Sequence, residues 1–448
     1  MGLSSGQFVK ETTATFVTGV INLALGLGTS VILARALGPE GQGIYALATL
    51  LAALIVIFGD LGISPATVYF VAQAEFRRQE ILGNNVLLSL GTGGLGVVAG
   101  LVVVLFFRES LFPNVAAPLL LLALPLVPVE LFFSYTQYVL LGIQRVADFN
   151  YVRVVQSAVL MAFIALALLG MKAGVTGAIL AGLFAYLVAA ILVFRLAVKA
   201  AGGVDLKPNP SYIRQATAYG VQAHLSNILG FLNYRVDMFM VNWFLGPAAV
   251  GLYTVGVGMV EKLWMTSQAA STVLFPRVAA ETNEERRKGL TPLVARTVLW
   301  TTALGALLLA ILSRWIVLLL YSEAFLPAVG ALQALLVGIV ALSAARVLAN
   351  DISGRGFPGL NIYTGIAAVT ANVALNLLWI PRYGIAGAAW ASTVSYMVLF
   401  LSTIFFYCRL SGNQWTVVLF PQREDWELYW KMGKAFYNWA LAKVRVVL

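Results

Sequence analysis

Charged side chains, cysteine and histidine are all scarce in this chain of 448 residues. Asp, Glu, Lys and Arg make up 11% of the sequence, against roughly 25% in an average soluble domain. Hydrophobic residues make up 60% of the sequence, and the mean hydropathy is +0.88. A water-soluble fold of this size could not cover so much apolar surface with so few polar side chains. The composition therefore predicts an integral membrane protein that crosses the bilayer many times.

The same scarcity excludes several kinds of site. The single cysteine, Cys408, excludes an internal disulfide, and the single histidine, His224, argues against a metal site built from histidines. The sequence has no glycine-rich phosphate loop between a strand and a helix, so nothing indicates an ATP-driven mechanism. We expect no catalytic site, no metal centre and no organic cofactor. The net charge of +10 would suggest nucleic acid in a soluble protein, but we expect no such partner here.

Twelve apolar segments are long enough to cross a bilayer, which takes about 20 residues of helix. The alternating pattern of a membrane barrel is absent from the sequence, so we expect an all-α fold. The predicted spans are approximately 13–35, 43–63, 82–107, 117–141, 151–171, 174–198, 217–244, 249–274, 293–319, 328–349, 361–380 and 385–408.

The basic residues are distributed unequally between the two sides of these spans. If the N-terminus is cytoplasmic, that side carries 22 of the 29 Lys and Arg residues, and the other side carries five. The remaining two, Arg235 and Lys262, lie within spans. This bias is the positive-inside signal, so we expect both termini in the cytoplasm. The net basicity thus reports orientation and contact with the inner leaflet, and it says nothing about an anionic cargo.

The two halves of the chain repeat each other. The motif LGPxxxGxY at 37–45 returns at 245–253, an offset of 208 residues. Glycine, alanine and tyrosine positions in 174–186 return in 384–396, an offset of 210 residues. Six spans fit within this offset, so both halves cross the membrane in the same direction. We expect two parallel six-helix repeats that form a V-shaped transporter with a central cavity.

The repeat divides the chain into four parts. Residues 1–198 form a first lobe, 199–212 a polar cytoplasmic linker, and 213–408 a second lobe. Residues 409–448 interleave basic and aromatic residues, which is typical of an amphipathic helix at the anionic inner leaflet. A docking surface for a partner protein is the alternative for this tail. Two lobes around a central site indicate alternating access, and the short outer loops argue against glycan polymerases and ligases.

Ionisable residues within spans are costly and are candidates for function. Arg235 and Glu261 are predicted to lie at nearly equal depth in the seventh and eighth helices. Asp237 and Lys262 differ by about 6 Å of helix rise, which a lysine side chain can cover. Two interpretations stay open. Either these charges pair and lock the hairpin, or Arg235 or Lys262 faces a water-filled cavity and binds an anionic group.

Further candidates complete the predicted site. The candidate substrate-binding residues are Arg235, Lys262, His224, Asn227, Arg153 and Arg346. The candidate ion-coupling or charge-pairing acids, for Na⁺ or H⁺, are Asp60, Glu130, Asp237 and Glu261. Structural explanations compete with these roles, because a lone histidine often only makes a hydrogen bond. Likewise, arginines near helix ends, such as Arg153 and Arg346, often snorkel to the interface.

Three motifs resemble a known family. The run VILARALGPEGQGIY at 31–45 and Asp60-Leu61-Gly62 resemble the opening of the oligosaccharide flippases. These are bacterial polysaccharide-biosynthesis membrane proteins of the multidrug/oligosaccharidyl-lipid/polysaccharide exporter superfamily. Arg235-Val236-Asp237, leading to the repeated motif at 245–253, resembles the family's seventh and eighth helices. The resemblance extends to about Cys408.

The resemblance implies a twelve-helix flippase in the bacterial inner (plasma) membrane. Its cargo would be an oligosaccharide on undecaprenyl pyrophosphate, moved to the outer leaflet for surface polysaccharide biosynthesis. Its partners would be the bilayer, this lipid-linked glycan and the proteins of glycan synthesis and polymerisation. A Na⁺- or H⁺-coupled multidrug antiporter of the same superfamily is the first alternative. A non-transporting scaffold that uses the basic aromatic tail is the second.

Overall fold

The computed structural model describes residues 5–264 and 284–422, together with Asp425, Trp430 and Lys434. The side chains of 5–14, 16, 222–223, 284 and 286–287 lie outside the description. The described residues form helices and no strand, which confirms the all-α prediction.

Eight helices build the first half of the chain. They are α1 (Ser5–Gly59), α2 (Ile63–Gln73), α3 (Arg78–Val102), α4 (Arg108–Leu111), α5 (Ala117–Ala123), α6 (Leu126–Gly142), α7 (Val146–Ala165) and α8 (Gly174–Ala201). Short π-helical turns, Val103–Phe107 and Leu166–Gly170, extend α3 and α7.

Six described helices build the second half. They are α9 (Pro210–Leu245), α10 (Pro247–Glu261), α11 (Glu284–Leu320), α12 (Ala328–Gly354), α13 (Gly359–Ser411) and α14 (Trp415–Leu419). A 3₁₀ turn, Glu323–Phe325, joins α11 to α12. The predicted span 249–274 continues beyond α10 into residues outside the description.

The number of passes agrees with the prediction. Eight helical segments of the described chain are long and apolar enough to cross a membrane. Two of them, within α1 and α13, contain non-helical glycines, Gly38 and Gly384, and each supplies two passes. The 55 residues of α1 would be about 80 Å long as one straight helix, far more than the ~30 Å of a bilayer core. With α9 and α10, the described residues make twelve passes in two sets of six.

Glycine permits the turn that the repeated motif makes twice. Gly38 has φ 68° and ψ −180°, and Gly246 has φ 82° and ψ 178°. This left-handed φ is cheap only for glycine, and the proline that follows each one suits the first turn of a helix. The two turns lie on one face of the bundle, which we call the opposite face. The start of α1 and the ends of α8 and α13 lie on the other, which we call the terminal face.

The two lobes touch through a reciprocal contact near the opposite face. A Cβ on Gly43 would lie 1.7 Å from the carbonyl oxygen of Pro247, and a Cβ on Gly251 would lie 1.8 Å from that of Pro39. Positions 39 and 43 of α1 therefore meet positions 247 and 251 of α10 in the same way from both sides. This reciprocity is the signature of a two-fold relation between like elements. It confirms the parallel repeat and brings the backbones of α1 and α10 together.

Polar contacts add to the closure of the opposite face. Arg35 donates hydrogen bonds to the carbonyl oxygens of Leu319 and Leu320 at the end of α11, the latter at 2.7 Å. The hydroxyls of Ser30 and Tyr321 are 3.1 Å apart. The first pass of α1 is thus fixed to the end of α11 in the second lobe.

On the terminal face, the start of α9 is attached to the first lobe. The side-chain oxygen of Asn209 caps α9 by accepting hydrogen bonds from the backbone nitrogens of Ser211 and Tyr212. The backbone nitrogen of Asn209 donates to the side-chain oxygen of Asn84 at 2.8 Å. The buried Tyr212 donates to Asn85 at 2.8 Å. Farther along, Tyr219 stacks on Tyr69 of α2 with ring centroids 4.7 Å apart. Helix α9 therefore begins against the first lobe and ends in the second.

The start of the predicted tail packs on the second lobe. Arg296 of α11 makes a buried, bidentate ion pair with Asp425, and Trp300 donates to the carbonyl oxygen of Leu419 at 2.9 Å. Trp415 and Phe420 are exposed. The amphipathic helix expected over the rest of 409–448 falls outside the described residues, apart from Asp425, Trp430 and Lys434.

Candidate functional site

A cavity of about 420 Å³ lies between the two lobes. Its walls come from α1, α6, α7 and α8 of the first lobe and from α9 and α10 of the second. The polar side chains in its lining are Gln42, Tyr45, Thr49, Glu130, Gln156, Tyr186, Arg235, Thr254 and Glu261. The cavity predicted between the repeats is therefore present, and each lobe contributes ionisable groups to it.

Arg235 and Glu261 form an ion pair in the cavity wall. The guanidinium nitrogens of Arg235 lie 2.8 and 3.3 Å from the two carboxylate oxygens of Glu261, so the contact is bidentate. The two side chains are 28% and 22% exposed, and both line the cavity. The equal depth predicted from the sequence is confirmed. The pair joins α9 to α10 and also faces the cavity, so the two interpretations of these charges are not exclusive.

Glu130 supplies a carboxylate from the first lobe. Tyr186 of α8 donates a hydrogen bond to it at 3.2 Å. Close by in the lining, the Oε1 atom of Gln42 is buried and has no hydrogen-bond partner among the described residues. An acceptor left unpaired in this way can be satisfied by a water or by a donor on a ligand. The first-lobe wall thus offers acceptors opposite the arginine of the second lobe.

Two further cations lie next to the cavity. The Nζ atom of Lys262 reaches toward α1 and lies 4.0 Å from where a Cβ on Gly26 would be. Arg346 stacks on two aromatic rings, 3.9 Å from the ring centre of Trp264 and 5.2 Å from that of Tyr234. Neither cation forms an ion pair with any carboxylate of the described residues. Such stacking holds a guanidinium in place while leaving its nitrogens able to bind an anion.

The pairing expected between Asp237 and Lys262 is wrong. Asp237 is buried inside the second lobe, where it accepts hydrogen bonds from Tyr253 at 2.6 Å and Ser392 at 2.9 Å. Its other oxygen accepts from the backbone nitrogen of Met238 at 2.8 Å. These donors satisfy the carboxylate from within one lobe, while Lys262 extends toward the other.

More amides and hydroxyls surround Asp237. Ser395 donates to the side-chain oxygen of Asn233 at 2.6 Å, and the amide of Asn372 lies 3.3 Å from the hydroxyl of Ser392. The amide of Asn376 donates to that of Asn372 at 2.6 Å. The oxygen atoms of α9 and α13 therefore form a buried polar cluster beside the cavity.

The remaining candidates lie elsewhere. His224 and Asp60 meet where α9 contacts the first lobe, with Nδ1 and Oδ2 3.8 Å apart. Asn227 is exposed, and the exposed Arg153 lies 5.8 Å from the ring centre of Phe149. The structure thus brings Arg235, Glu261 and Glu130 into the lining of one cavity, with Lys262, Arg346 and the Asp237 cluster beside it. It places His224, Asn227, Arg153 and Asp60 outside that lining.

Sequence reasoning missed several polar residues of the lining. Gln42 lies inside the repeated motif, beside its turn, and this position could have identified it from the sequence as a residue between the lobes. Gln156 and Tyr186 carry no signal, because a glutamine or tyrosine in an apolar helix is as often a helix-packing contact. Among the described residues, no group of three His, Cys, Asp or Glu side chains could hold a metal ion. The cavity can bind ions and hydrogen-bonding groups, with the cation of its lining, Arg235, in the second lobe.

Two sequence relatives match the chain. An uncharacterized membrane protein of Methanocaldococcus jannaschii is 27% identical over 210 residues, 45% of this chain. A probable low-salt glycan biosynthesis flippase, Agl15, of Haloferax volcanii is 22% identical over 201 residues, 43% of this chain. The chain spans about two fifths of the length of these relatives, 41% in each case.

Solved structures share the fold over nearly the whole chain. An inward-facing multidrug resistance MATE family transporter of the MOP superfamily has a TM-score of 0.71 at 15% identity, covering 90% of this chain and 98% of its own. The lipid II flippase MurJ, in an inward closed conformation, has a TM-score of 0.71 at 15% identity, covering 97% and 100%. At this identity the likeness concerns the fold alone, and it confirms the V-shaped arrangement of two repeats.

One family model matches residues 8–280, more than half of the chain, under the description polysaccharide biosynthesis protein. The match runs from the first pass of α1 through the repeated motif, the Arg235–Glu261 pair and Lys262. The resemblance read from these motifs is therefore confirmed: the chain belongs to the polysaccharide biosynthesis protein family.

Proposed function

We propose that the protein is a flippase for lipid-linked oligosaccharide. It would move a glycan on undecaprenyl pyrophosphate from the inner to the outer leaflet of the bacterial plasma membrane, for surface polysaccharide biosynthesis. It would do so as a transporter by alternating access, without catalysing a reaction. The family match, the name of the Haloferax relative and the fold shared with a lipid II flippase support this proposal.

The observation that carries the proposal is the placement of Arg235 in the cavity, with Lys262 and Arg346 beside it. A pyrophosphate carries at least two negative charges, and a guanidinium binds phosphate oxygens through paired hydrogen bonds. Glu261 neutralises Arg235 while no cargo is bound, and this pairing lowers the energetic cost of placing an arginine within the bilayer. An incoming phosphate competes for the same guanidinium, and Lys262 and Arg346 supply the additional positive charge.

The size of the cavity limits what it can enclose. A volume of about 420 Å³ is that of a small-molecule pocket. It suits the pyrophosphate and the first sugars, so a longer glycan requires the lobes to separate. With the terminal face in the cytoplasm, as the distribution of Lys and Arg favours, the closed opposite face is the outer side. This arrangement is the one needed to load cargo from the inner leaflet.

We also propose that transport is coupled to Na⁺ or H⁺. Glu130 lies in the cavity wall, and Asp237 lies in the buried polar cluster. Binding of Na⁺ or H⁺ to either carboxylate can therefore depend on whether the two lobes are together or apart. The exposed Trp415 and Phe420 on the terminal face offer contacts either to the inner leaflet or to proteins of glycan synthesis and polymerisation. The partners proposed here are the bilayer, the lipid-linked glycan and such proteins.

One observation favours a Na⁺- or H⁺-coupled multidrug antiporter as a second candidate. The Asp237 cluster provides a carboxylate among amide and hydroxyl oxygens, and it would serve a cation-driven exchanger without any role for Lys262 or Arg346. The two functions therefore differ in whether the cations beside the cavity matter.

The proposal is tested in cells that lack the gene. They should accumulate carrier-linked glycan that membrane-impermeant reagents cannot reach, and surface polysaccharide should be lost. Wild type should restore both, and R235Q should not, whereas R195Q, which changes an exposed arginine of α8 outside the cavity, should restore both. Unchanged surface polysaccharide in the deletion strain, with ion-dependent dye efflux by the purified protein, would instead establish the antiporter.

A further inference from the structure

His224 lies where α9 leaves the first lobe. Tyr212 and Tyr219, on the terminal side of His224, contact α2 and α3, whereas Asn233, nine residues beyond it, contacts α13 of the second lobe. The backbones of Gly62 and Gly220 touch next to this point, since a Cβ on Gly62 would lie 2.1 Å from the carbonyl oxygen of Gly220. His224 itself is 3% exposed. Nearer the opposite face α9 meets the first lobe again, where Phe239 packs on Phe112 and Asn242 donates to the carbonyl oxygen of Pro113 at 3.2 Å. The contacts of His224 are therefore the last ones in the segment of α9 that packs against the end of α1, α2 and α3.

The hydrogen bond to the first lobe fixes one proton on the imidazole. Nε2 of His224 lies 2.6 Å from the carbonyl oxygen of Ile57. A carbonyl can only accept, so Nε2 must carry hydrogen. Ile57 belongs to the last turn of α1, which ends at Gly59, and Leu61 follows with a left-handed φ of 49°. The carbonyls of a last helical turn lack partners within the helix, and His224 satisfies one of them.

The other ring nitrogen faces a second acceptor. Nδ1 of His224 is buried, has no hydrogen-bond partner among the described residues, and lies 3.8 Å from Oδ2 of Asp60. With Nε2 protonated, a neutral imidazole presents a lone pair at Nδ1, so an ionised Asp60 would place two acceptors face to face. One proton, on either Nδ1 or Oδ2, converts this repulsion into a hydrogen bond or an ion pair. A positive imidazolium is also favoured at the end of a helix such as α1.

The other groups around the pair do not supply that proton. Ser64 of α2 donates to Oδ1 of Asp60 at 2.7 Å, which leaves Oδ2 for His224. Tyr135 of α6 donates to the carbonyl oxygens of Gly59 and Asp60, both at 3.0 Å. Tyr138 of α6 also lies near Asp60, and Arg153 of α7 lies near Tyr138. Tyrosine and arginine keep their protons at physiological pH, so a proton between Nδ1 and Oδ2 must belong to the imidazole of His224 or the carboxyl of Asp60.

We propose that His224 and Asp60 form a proton-binding site that holds α9 on the first lobe. One proton shared between Nδ1 and Oδ2 stabilises the contact, and its release places two acceptors in opposition and detaches α9 between Tyr219 and His224. This site lies outside the cavity, and the proposal is independent of the cargo and of the flippase assignment. It assigns a ligand, the proton, to the only histidine of the chain.

The test measures the distance between α2 and α9 as a function of pH. Ala72 of α2 is exposed, and so is Val221 of α9, which lies between Tyr219 and His224, so A72C and V221C in a C408S background accept spin labels and leave the stack of Tyr69 on Tyr219 intact. Purified protein in lipid nanodiscs is measured by electron paramagnetic resonance from about pH 5 to 8. The population at short distance should fall as pH rises, by up to about tenfold per pH unit for one proton.

Three variants make the result decisive. D60N should stay at short distance at every pH, because the amide donates to Nδ1 without a titrating proton. H224F should show a reduced short-distance population that pH does not change, and E75Q, which alters an exposed carboxylate near the end of α2, should behave as wild type. A pH-independent distance in the wild type, or full pH dependence in D60N, overturns the proposal. If H224F does not fold, D60N alone decides.

Discussion

At the scale of residues, the ion pair of Arg235 and Glu261 serves both as a structural contact and as a candidate binding group. The sequence allowed prediction of the depth of both residues, because each lies a countable number of positions from the same turn. It could not show that the pair faces the cavity, since that depends on where the first lobe packs. Asp237 was assigned the wrong partner for the same reason: its donors Tyr253 and Ser392 lie in other helices, and Ser392 is 155 residues away in sequence.

Neutralising one or both charges of the Arg235–Glu261 pair separates its structural role from its proposed role in binding. We expect R235Q and E261Q each to reduce transport of lipid-linked glycan, R235Q by more than about tenfold, which corresponds to ~1.4 kcal/mol. The double variant R235Q/E261Q removes both charges, so folding and expression should recover because no unpaired charge is left in the membrane. Transport should stay low, because the guanidinium proposed to bind the phosphate is gone. Recovery of transport in the double variant would reduce the pair to a structural lock.

Asp237 gives a second prediction at this scale. D237N replaces an oxygen that accepts hydrogen bonds with a nitrogen that can only donate, opposite the donors Tyr253 and Ser392. We expect it to lose the stimulation of transport by a Na⁺ or H⁺ gradient, and to lower stability by about 1–3 kcal/mol for an unsatisfied buried group. S392A is the matched control, because it removes one hydrogen bond and keeps the carboxylate. Gradient stimulation that survives in D237N would exclude this carboxylate from coupling.

At the scale of elements, the repeated motif predicted both the turns at Gly38 and Gly246 and the relation between the halves. The motif carries this information because a left-handed φ and a backbone contact each require glycine. The attachment of α9 to the first lobe and the bond from Arg35 to the end of α11 could not be predicted. Both join residues that are more than 100 positions apart and carry no shared pattern.

The close backbone contact between α1 and α10 at Gly43 and Gly251 is predicted to set how tightly the opposite face closes. G43A and G251A each place a methyl group where the facing backbone now lies, so the opposite face should not close as in this structure. Spin labels on K172C and R382C, two exposed repeat-related positions of that face, should report a longer distance in both variants. G258A on α10 is the control, because a Cβ there would meet nothing within 4 Å. Equal distances in G43A, G251A and G258A would show that this contact does not set the closure.

The C-terminal segment is a second element with a testable attachment. D425N weakens the buried ion pair with Arg296, and we expect proteases to cut the tail faster while the helical bundle stays resistant. Q422A should leave the cutting rate unchanged, because Gln422 meets Asp425 through its backbone nitrogen. If transport persists in D425N while assembly with glycan synthesis proteins is lost, the tail acts as a docking segment.

At the scale of the whole molecule, composition and repeat predicted a two-lobed helical membrane fold with many passes, and the fold shared with the solved structures agrees. A bilayer imposes this predictability on the passes, because each must be a long and mostly apolar helix. The identity of the cargo is not imposed in the same way. In the proposed function it depends on three cations whose positions are set by tertiary packing: Arg235 in the cavity wall, Lys262 against Gly26, and Arg346 on Trp264 and Tyr234.

The central claim is that this cavity carries a pyrophosphate-linked glycan across the membrane. Its most direct test is a flipping assay in proteoliposomes that contain the purified protein and a fluorescent polyprenyl-pyrophosphate oligosaccharide. A membrane-impermeant quencher reports the leaflet of the lipid with time. We expect rapid flipping by wild type and R195Q, and loss of flipping in R235Q and in the K262Q/R346Q double variant. Equal rates for all four proteins, or no flipping by wild type under any ion gradient, would contradict it.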